Sequence, residues 1–243
     1  MARIFITGST DGLGELVAKS LIEMGYTVVL HARNEERKHD VMKKTPGTEN
    51  VLIGDLSSIE ETINLADQVN ALGSFDAVIH NAGVYRVSSN EIFRVNTLAP
   101  YILTCLIHKP KRLIYLSSGM HLHGDSKLES FKGDFNRITY SDTKLHVVML
   151  SKAVARRWPN VYSNAVNPGW VPTKMGGRGA PDNLQKGYET QVWLAVSNDE
   201  KAKVTGKYFY HQKERSYNPE ADDIILQDEF IAVCEDITGI SFP

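Results

Sequence analysis

Tyr140-Ser141-Asp142-Thr143-Lys144 sets a phenol and an ammonium at positions i and i+4, directly ahead of the apolar run Leu145, Val147, Val148, Met149 and Leu150. If that run is helical, the two side chains lie one above the other on one face and can act together. A free tyrosine, with a pKa near ~10, is a poor acid and a rarely ionised base at neutral pH. A cation within reach favours the phenolate and lowers that pKa, each unit being worth about 1.36 kcal/mol. The spacing therefore predicts a tyrosine that passes a proton to or from an alcohol or carbonyl oxygen near pH 7. Taken alone, the pair equally fits a surface lysine lying over a half-buried ring.

The N-terminus adds a second chemistry. Arg3-Ile4-Phe5-Ile6 is a short β-prone run, followed by Thr7-Gly8-Ser9-Thr10-Asp11-Gly12-Leu13-Gly14 and then by Leu16, Val17, Leu21, Ile22 and Met24 at helical spacing. A strand feeding a glycine-rich turn into a helix N-terminus makes an anion site, because the first backbone N–H groups lack internal partners. Glycines there let the backbone approach a pyrophosphate.

With both motifs in place, the chain resembles the short-chain dehydrogenase/reductase family, in its shorter single-domain branch. Asp55-Leu56, Asn81-Ala82-Gly83, Asn96, Ser117-Ser118, Asn167-Pro168-Gly169 and Thr173 follow in the family's order and rough spacing, and the resemblance runs to Thr238-Gly239. It implies an α/β fold of Rossmann type, a doubly wound parallel sheet of order 3-2-1-4-5-6-7 with helices on both faces. The sequence supports that fold independently. Thr27–Leu30, Val51–Ile53, Phe75–Ile79, Arg112–Leu116 and Tyr162–Val166 read as strands, and the stripe within 58–72 reads as a helix; the resemblance adds Lys207–Tyr210 as the last strand. In such a sheet a cofactor lies at the carboxyl ends of the strands.

The resemblance also assigns roles. Tyr140 is the acid/base, Lys144 tunes it and holds the nicotinamide ribose, Ser118 holds the substrate oxygen, and Asn96 interrupts a helix to hold a proton-relaying water. Ser117 is left to turn chemistry at the strand end. Cofactor contacts are implied for Gly8, Ser9, Thr10, Gly12, Leu13 and Gly14, for Asp55, Leu56, Asn81, Ala82 and Gly83, and for Tyr140, Lys144, Pro168, Gly169, Val171 and Thr173. Asp55 also suits the cap of a helix starting near Ser57-Ser58, and Asn81 suits hydrogen bonds between neighbouring strands.

Charge logic at the second strand decides between cofactors. Where NAD-dependent enzymes place a carboxylate, this chain has Ala32, with Arg33 beside it. An arginine can pair with a 2′-phosphate, so NADP is expected. Glu35 and Glu36 keep NAD as the alternative, although Asn34 reads as a helix cap that places both in the first turn.

The 243 residues fit one domain, 1–243, with a sizeable core. Net charge is −2, from 27 basic and 29 acidic residues, which implies no broad attraction to nucleic acid or anionic membrane. No apolar run approaches the ~18 residues of a membrane span, and a strand starting near Met1 predicts a cytoplasmic protein without a leader. Cys105 and Cys234 read as reduced packing residues.

Two stretches depart from the commonest family pattern. The polar insert Leu122–Arg137 lengthens the path from Ser118 to Tyr140, as in retinol-dehydrogenase-like relatives. Pro110 is expected to end the preceding helix early, in a region where relatives build a dimer or tetramer interface, so the oligomeric state stays open. His121 and His123 lack further ligands at metal spacing and are expected to line the pocket mouth or to sit on the polar insert, with no metal. The glycine-rich stretch after Gly169, within 170–186, suits a lid over substrate. The expected activity is an NADP(H)-preferring oxidoreductase acting on a small-molecule alcohol or carbonyl. A non-catalytic dinucleotide-binding scaffold is the alternative, and a sugar-nucleotide epimerase or dehydratase would need a longer chain.

Overall fold

The computed structural model describes residues 1–127 and 135–243. Eight described strands form one sheet of order β3-β2-β1-β4-β5-β6-β7-β8, parallel throughout except for the last pair. The strands are β1 (Arg3–Ile6), β2 (Thr27–Ala32), β3 (Asn50–Ile53), β4 (Ala77–His80), β5 (Arg112–Leu116), β6 (Tyr162–Asn167), β7 (Lys207–Tyr210) and β8 (Lys213–Glu214). The helices between them are α1 (Gly12–Glu23), α2 (Glu35–Lys44), α3 (Ile59–Ala71), α4 (Ser89–Phe93), α5 (Ala99–Leu106), α6 (Tyr140–Arg157) and α7 (Leu184–Val196), and α8 (Ile224–Thr238) follows the last strand.

The pleat explains why both faces are covered. Along β1, Ile4 and Ile6 enter the core beneath α1 and α7, while Phe5 between them enters the core shared with α3, α5 and α6. Each face then needs its own helical layer, which parallel crossovers supply.

Several sequence expectations hold, with boundaries moved by one or two residues. Asn34 caps α2, its side chain accepting from Arg37 N at 2.9 Å. Helix α5 ends at Leu106, ahead of Pro110. Strand β8 is the element the sequence did not reveal. The turn before it places His211 and Gln212 at φ +50° and +59°, a conformation that Asn-Gly or Gly-Gly would have advertised and His-Gln does not. Helix α7 begins at Leu184 with Asn183 as its cap, so the expected lid stretch is shorter than 170–186.

Asp55 needs a correction. Its carboxylate accepts from Ser57 N at 2.9 Å and from the Ser57 hydroxyl at 2.7 Å, closing a tight turn, and Ser58 caps α3 in its place. A short side chain reaches only two residues ahead here, one turn too early for the helix. Of the insert, Leu128–Asp134, with its charged Glu129, Lys132 and Asp134, lies outside the described residues.

Candidate active site

Tyr140 opens α6, placed by a capping box in which Thr139 and Asp142 satisfy each other's backbone N–H. One turn on, Lys144 is buried and its ammonium donates to the Leu116 carbonyl at 2.8 Å, 5.3 Å from the centre of the Tyr140 ring. Gly83 makes room for it: a Cβ there would stand 3.2 Å from Lys144 Nζ. Tyr85 packs on the other side of the phenol, ring centres 4.8 Å apart.

The pKa tuning expected of this pair differs in the structure. Burial pushes the Tyr140 phenol up to about 12, with a hydrogen bond from Ser118 opposing it and the Tyr85 phenol adding to it. Burial also holds the Lys144 ammonium down, at about 8. The lysine sits over the ring face, bonded to a carbonyl, so its charge does not overcome the desolvation of the phenol.

The serine pair divides as expected. The Ser117 hydroxyl is buried and donates to the Lys144 carbonyl at 2.8 Å, tying β5 to α6. Ser118 lines the cavity, accepts from Met120 N at 3.2 Å, and shares a hydrogen bond with the Tyr140 phenol. Asn96 sits in a widened π-turn, Arg94–Leu98, between α4 and α5. Its amide grips Val84 twice, accepting from Val84 N at 2.8 Å and donating to Val84 O at 3.0 Å, and also reaches the Thr143 hydroxyl. The mid-helix asparagine thus fixes the loop after β4.

The glycine turn has distinct jobs for its glycines. A Cβ on Gly14 would meet Asn81 Nδ2 and Gly8 O at 2.5 Å, and one on Gly8 (φ +62°) would meet the Ala82 backbone at 2.7 Å. A Cβ on Gly12, at φ +56°, would meet only the Thr173 side chain, in ordinary contact at 3.7 Å. Asn81 donates to the Thr7 and Gly8 carbonyls, both at 3.1 Å, which is the strand-tying role expected of it. Ser9 is buried and bonds back to Ile6 O and to His31 N, so it shapes the turn from behind. Asp11 stands at the N-cap of α1 without capping it, its carboxylate taken by Arg37 and Lys174. The first amides of α1 therefore have no side-chain acceptor and open onto the cavity beside Thr10, Gly12 and Leu13, a fit for a pyrophosphate.

One cavity of about 970 Å³ joins this turn to Tyr140. Asp55, Leu56, Ala82, Gly83, Pro168, Gly169, Val171 and Thr173 line it as well. Arg33, exposed just after β2, and Arg37 on α2 also line it. Arg37 escaped the sequence reading because a charged residue in a helix turn looks solvated. His31 was missed as well. Its buried ring accepts from Gly8 N at 3.0 Å and donates to Gly54 O at 2.8 Å, and burial keeps it neutral.

His121 corrects another expectation. It is buried behind the site, neither at the mouth nor at the insert's surface, whereas His123 is exposed within the insert, one of the two placements expected. Among the described residues no group of three or more His, Cys, Asp or Glu side chains could hold a metal ion, and no helix is long and apolar enough to cross a membrane. Both cysteines are free, and burial raises both thiols, Cys105 to about 12.

A family model described as short chain dehydrogenase matches residues 2–183. Two curated relatives align over the whole chain. An uncharacterized oxidoreductase of Emericella nidulans is 45% identical, with 99% of its own length covered. A short-chain dehydrogenase of Penicillium rubens is 42% identical, with 100% covered. Among solved structures, a blue fluorescent protein from a metagenomic library in complex with NADPH aligns over 86% of this chain and 95% of its own, with a TM-score of 0.71 at 17% identity.

Proposed function

The chain belongs to the short-chain dehydrogenase family, and on that premise we propose an NADP(H)-preferring oxidoreductase that interconverts an alcohol with a ketone or aldehyde. The observation that carries this reading is the meeting of Tyr140, Ser118 and buried Lys144 at one end of a cavity whose other end is the glycine turn. A nicotinamide dinucleotide, when bound, supplies or accepts the hydride. The chain's own residues handle the proton and the positioning. The Tyr140 phenol donates its proton to the carbonyl oxygen in reduction and accepts it back in oxidation. Ser118 holds that oxygen beside the phenol, and Lys144 lies next to the phenol as a buried ammonium.

For the cofactor, the amides from Thr10 to Leu13 would hold the pyrophosphate, and Asp55 and Leu56 the adenine. Asn81, Ala82, Gly83 and Lys144 would hold the riboses, and Pro168, Gly169, Val171 and Thr173 the nicotinamide end. NADP over NAD is supported by Ala32 in place of a carboxylate and by Arg33 and Arg37 in the cavity lining. The substrate reading is a moderately apolar carbonyl compound. Tyr85, Met120, Trp170 and Met175 line the cavity yet are exposed, the surface an apolar ligand would cover. We also propose one domain over 1–243, a cytoplasmic location, and a dimer or tetramer.

A screen of aldehydes, ketones and alcohols, followed by NADPH absorbance, tests the activity. Absence of turnover across aromatic and aliphatic members of each class would defeat it.

A further inference from the structure

We propose that His121 is a positioning residue for Ser118, holding it at the substrate oxygen through the serine's own carbonyl. The inference rests on the reading of Ser118 above.

The hydrogen bonds define the ring's state. Asn218 N donates to His121 Nε2 at 3.2 Å, so that nitrogen is the acceptor and the proton sits on Nδ1. Nδ1–H then donates to the Ser118 carbonyl at 2.7 Å, the shortest of three bonds to that oxygen. Tyr208 OH donates to the same oxygen at 3.1 Å, and His121 N does so at 3.1 Å. The Tyr208 hydroxyl also lies 3.1 Å from Nδ1, and the two rings pack with centres 4.6 Å apart. The ring is 1% exposed, and burial favours its neutral form.

The consequence is geometric. Ser118 follows β5 in extended conformation, φ −158° and ψ 156°, with its hydroxyl toward the cavity and its carbonyl fastened at the back. A peptide oxygen held by three donors fixes the plane from which the hydroxyl projects. His121 also links this peptide to Asn218, the residue that caps the short helical turn Pro219–Asp222, so the C-terminal stretch is tied to the substrate-binding serine. A hydroxyl held in advance toward the reacting oxygen acts without reorganising during reaction.

The test is a double-mutant cycle on kcat for reduction of 4-nitrobenzaldehyde, or of the best carbonyl compound from the screen, with NADPH. S118A alone tests the underlying reading; a wild-type kcat there removes that reading and the inference with it. Given a loss in S118A, His121→Phe should lower kcat by about 10- to 100-fold in the Ser118 background, leaving the KM for NADPH within about twofold. In the S118A background it should cost less than about twofold, the limit expected when its effect runs through Ser118. His121→Asn keeps a donor near the Nδ1 position and should recover most of kcat. If H121F fails to fold, Tyr208→Phe removes a second donor to the same oxygen and should show the same dependence on Ser118, with a smaller loss. Equal losses in both backgrounds, or unchanged kcat in H121F or Y208F, would overturn the proposal.

Discussion

The Lys144 ammonium nitrogen lies over the Tyr140 ring, 5.3 Å from its centre, and donates to the Leu116 carbonyl, so two groups read as an acid–base pair meet through the ring face. Burial then sets the tyrosine's proton affinity, at about 12. A phenol with that pKa is fully protonated from pH 6 to 9, the form needed to donate to a carbonyl. Alcohol oxidation needs the phenolate, whose fraction rises about tenfold per pH unit below the pKa. The kcat for reduction should therefore be nearly flat across pH 6–9, while kcat for oxidation climbs steeply over the same range. Tyr140→Phe should lower both by roughly 10²- to 10⁴-fold with cofactor affinity nearly intact. Stopped-flow rates across pH decide this, and an oxidation rate that plateaus near pH 7 would show the phenol to be tuned far lower.

Lys144 is the costly member of the site. Its pKa falls to about 8 from an ordinary 10.5, because burial disfavours its charge. At pH 7 the group is charged both folded and unfolded, so the full penalty is present, on the order of 3 kcal/mol. Between pH 8 and 10.5 the folded chain releases its proton first, the penalty is relieved, and this contribution to stability rises with pH. Lys144→Met removes the penalty but leaves the Leu116 carbonyl without its donor, at a cost of about 1–2 kcal/mol. The variant should be inactive yet more stable by about 1–2 kcal/mol at pH 7, with the difference shrinking by pH 10. Urea melts at the two pH values measure this directly, and a variant that is less stable at both would refute the assignment of the penalty.

Much of this was readable beforehand, and the reasons differ by residue. Helices were legible from their apolar spacing and strands as short apolar runs such as Ile4-Phe5-Ile6, which the fold buries on two faces. The glycine turn and the Tyr140–Lys144 spacing are local patterns, visible without tertiary knowledge. What stayed hidden depends on contacts between distant segments. His31 and His121 are plain histidines in sequence, and only folding sets their rings against Gly8, Gly54, Ser118 and Asn218. The direction of the Tyr140 shift was hidden for the same reason, because desolvation is a property of the packed chain.

Arg33 and Arg37 should divide cofactor discrimination between them. Arg33 is exposed and free to meet a 2′-phosphate, whereas Arg37 is held by Asp11 at 3.0 Å. Arg33→Ala should weaken NADPH binding by ~1.5–3 kcal/mol, the range for a hydrogen bond to a charged group, and leave NADH little changed. Arg37→Ala should cost less, because part of its charge already serves Asp11. Placing Asp at Ala32 should repel the 2′-phosphate and move preference toward NADH. Fluorescence titration of both cofactors separates these outcomes, and equal losses for NADH and NADPH in R33A would mean the arginine does not read the 2′ position.

Gly12 and Gly14 predict opposite kinds of failure. An added Cβ at Gly14 strikes Gly8 O and Asn81 Nδ2 at 2.5 Å, and one of these is backbone that cannot move aside. Gly14→Ala should therefore destabilise the fold by about 1–3 kcal/mol, the usual cost of overpacking, and loosen Asn81 from Thr7 and Gly8. At Gly12 nothing lies closer than 3.7 Å, so only the left-handed backbone, φ +56°, is strained, at roughly 1–2 kcal/mol. A Gly12→Ala chain can relieve that strain by turning its peptide, which moves an amide facing the cavity. It should fold with a smaller loss than Gly14→Ala but bind NADPH far more weakly relative to its stability. Melting curves paired with cofactor titration resolve the two, and a Gly12→Ala protein with normal NADPH affinity would show that this peptide does not contact the pyrophosphate.

The stretch from Trp170 to Asn183 should behave as a lid tied at its base and free at its tip. Trp170 N and Asp182 N each bond across its base, to Asp182 and to Trp170 O at 3.0 Å, and the Trp170 indole donates to Gly176 O at 2.7 Å. Toward the tip the ties thin out, with Gly177 and Gly179 meeting nothing that an added Cβ would touch. Lys174 reaches back to Asp11 on the glycine turn, an exposed ion pair that salt would screen. Amide exchange without ligand should thus be fast at Arg178 and Gly179 and slow at Asp182, and NADPH with a substrate analogue should slow the tip. Raising salt should speed exchange at Lys174 and Met175 in the free protein. Slow exchange across the whole stretch without ligand would identify it as a fixed wall, and the closing element would have to lie on the other side of the cavity, near Tyr85.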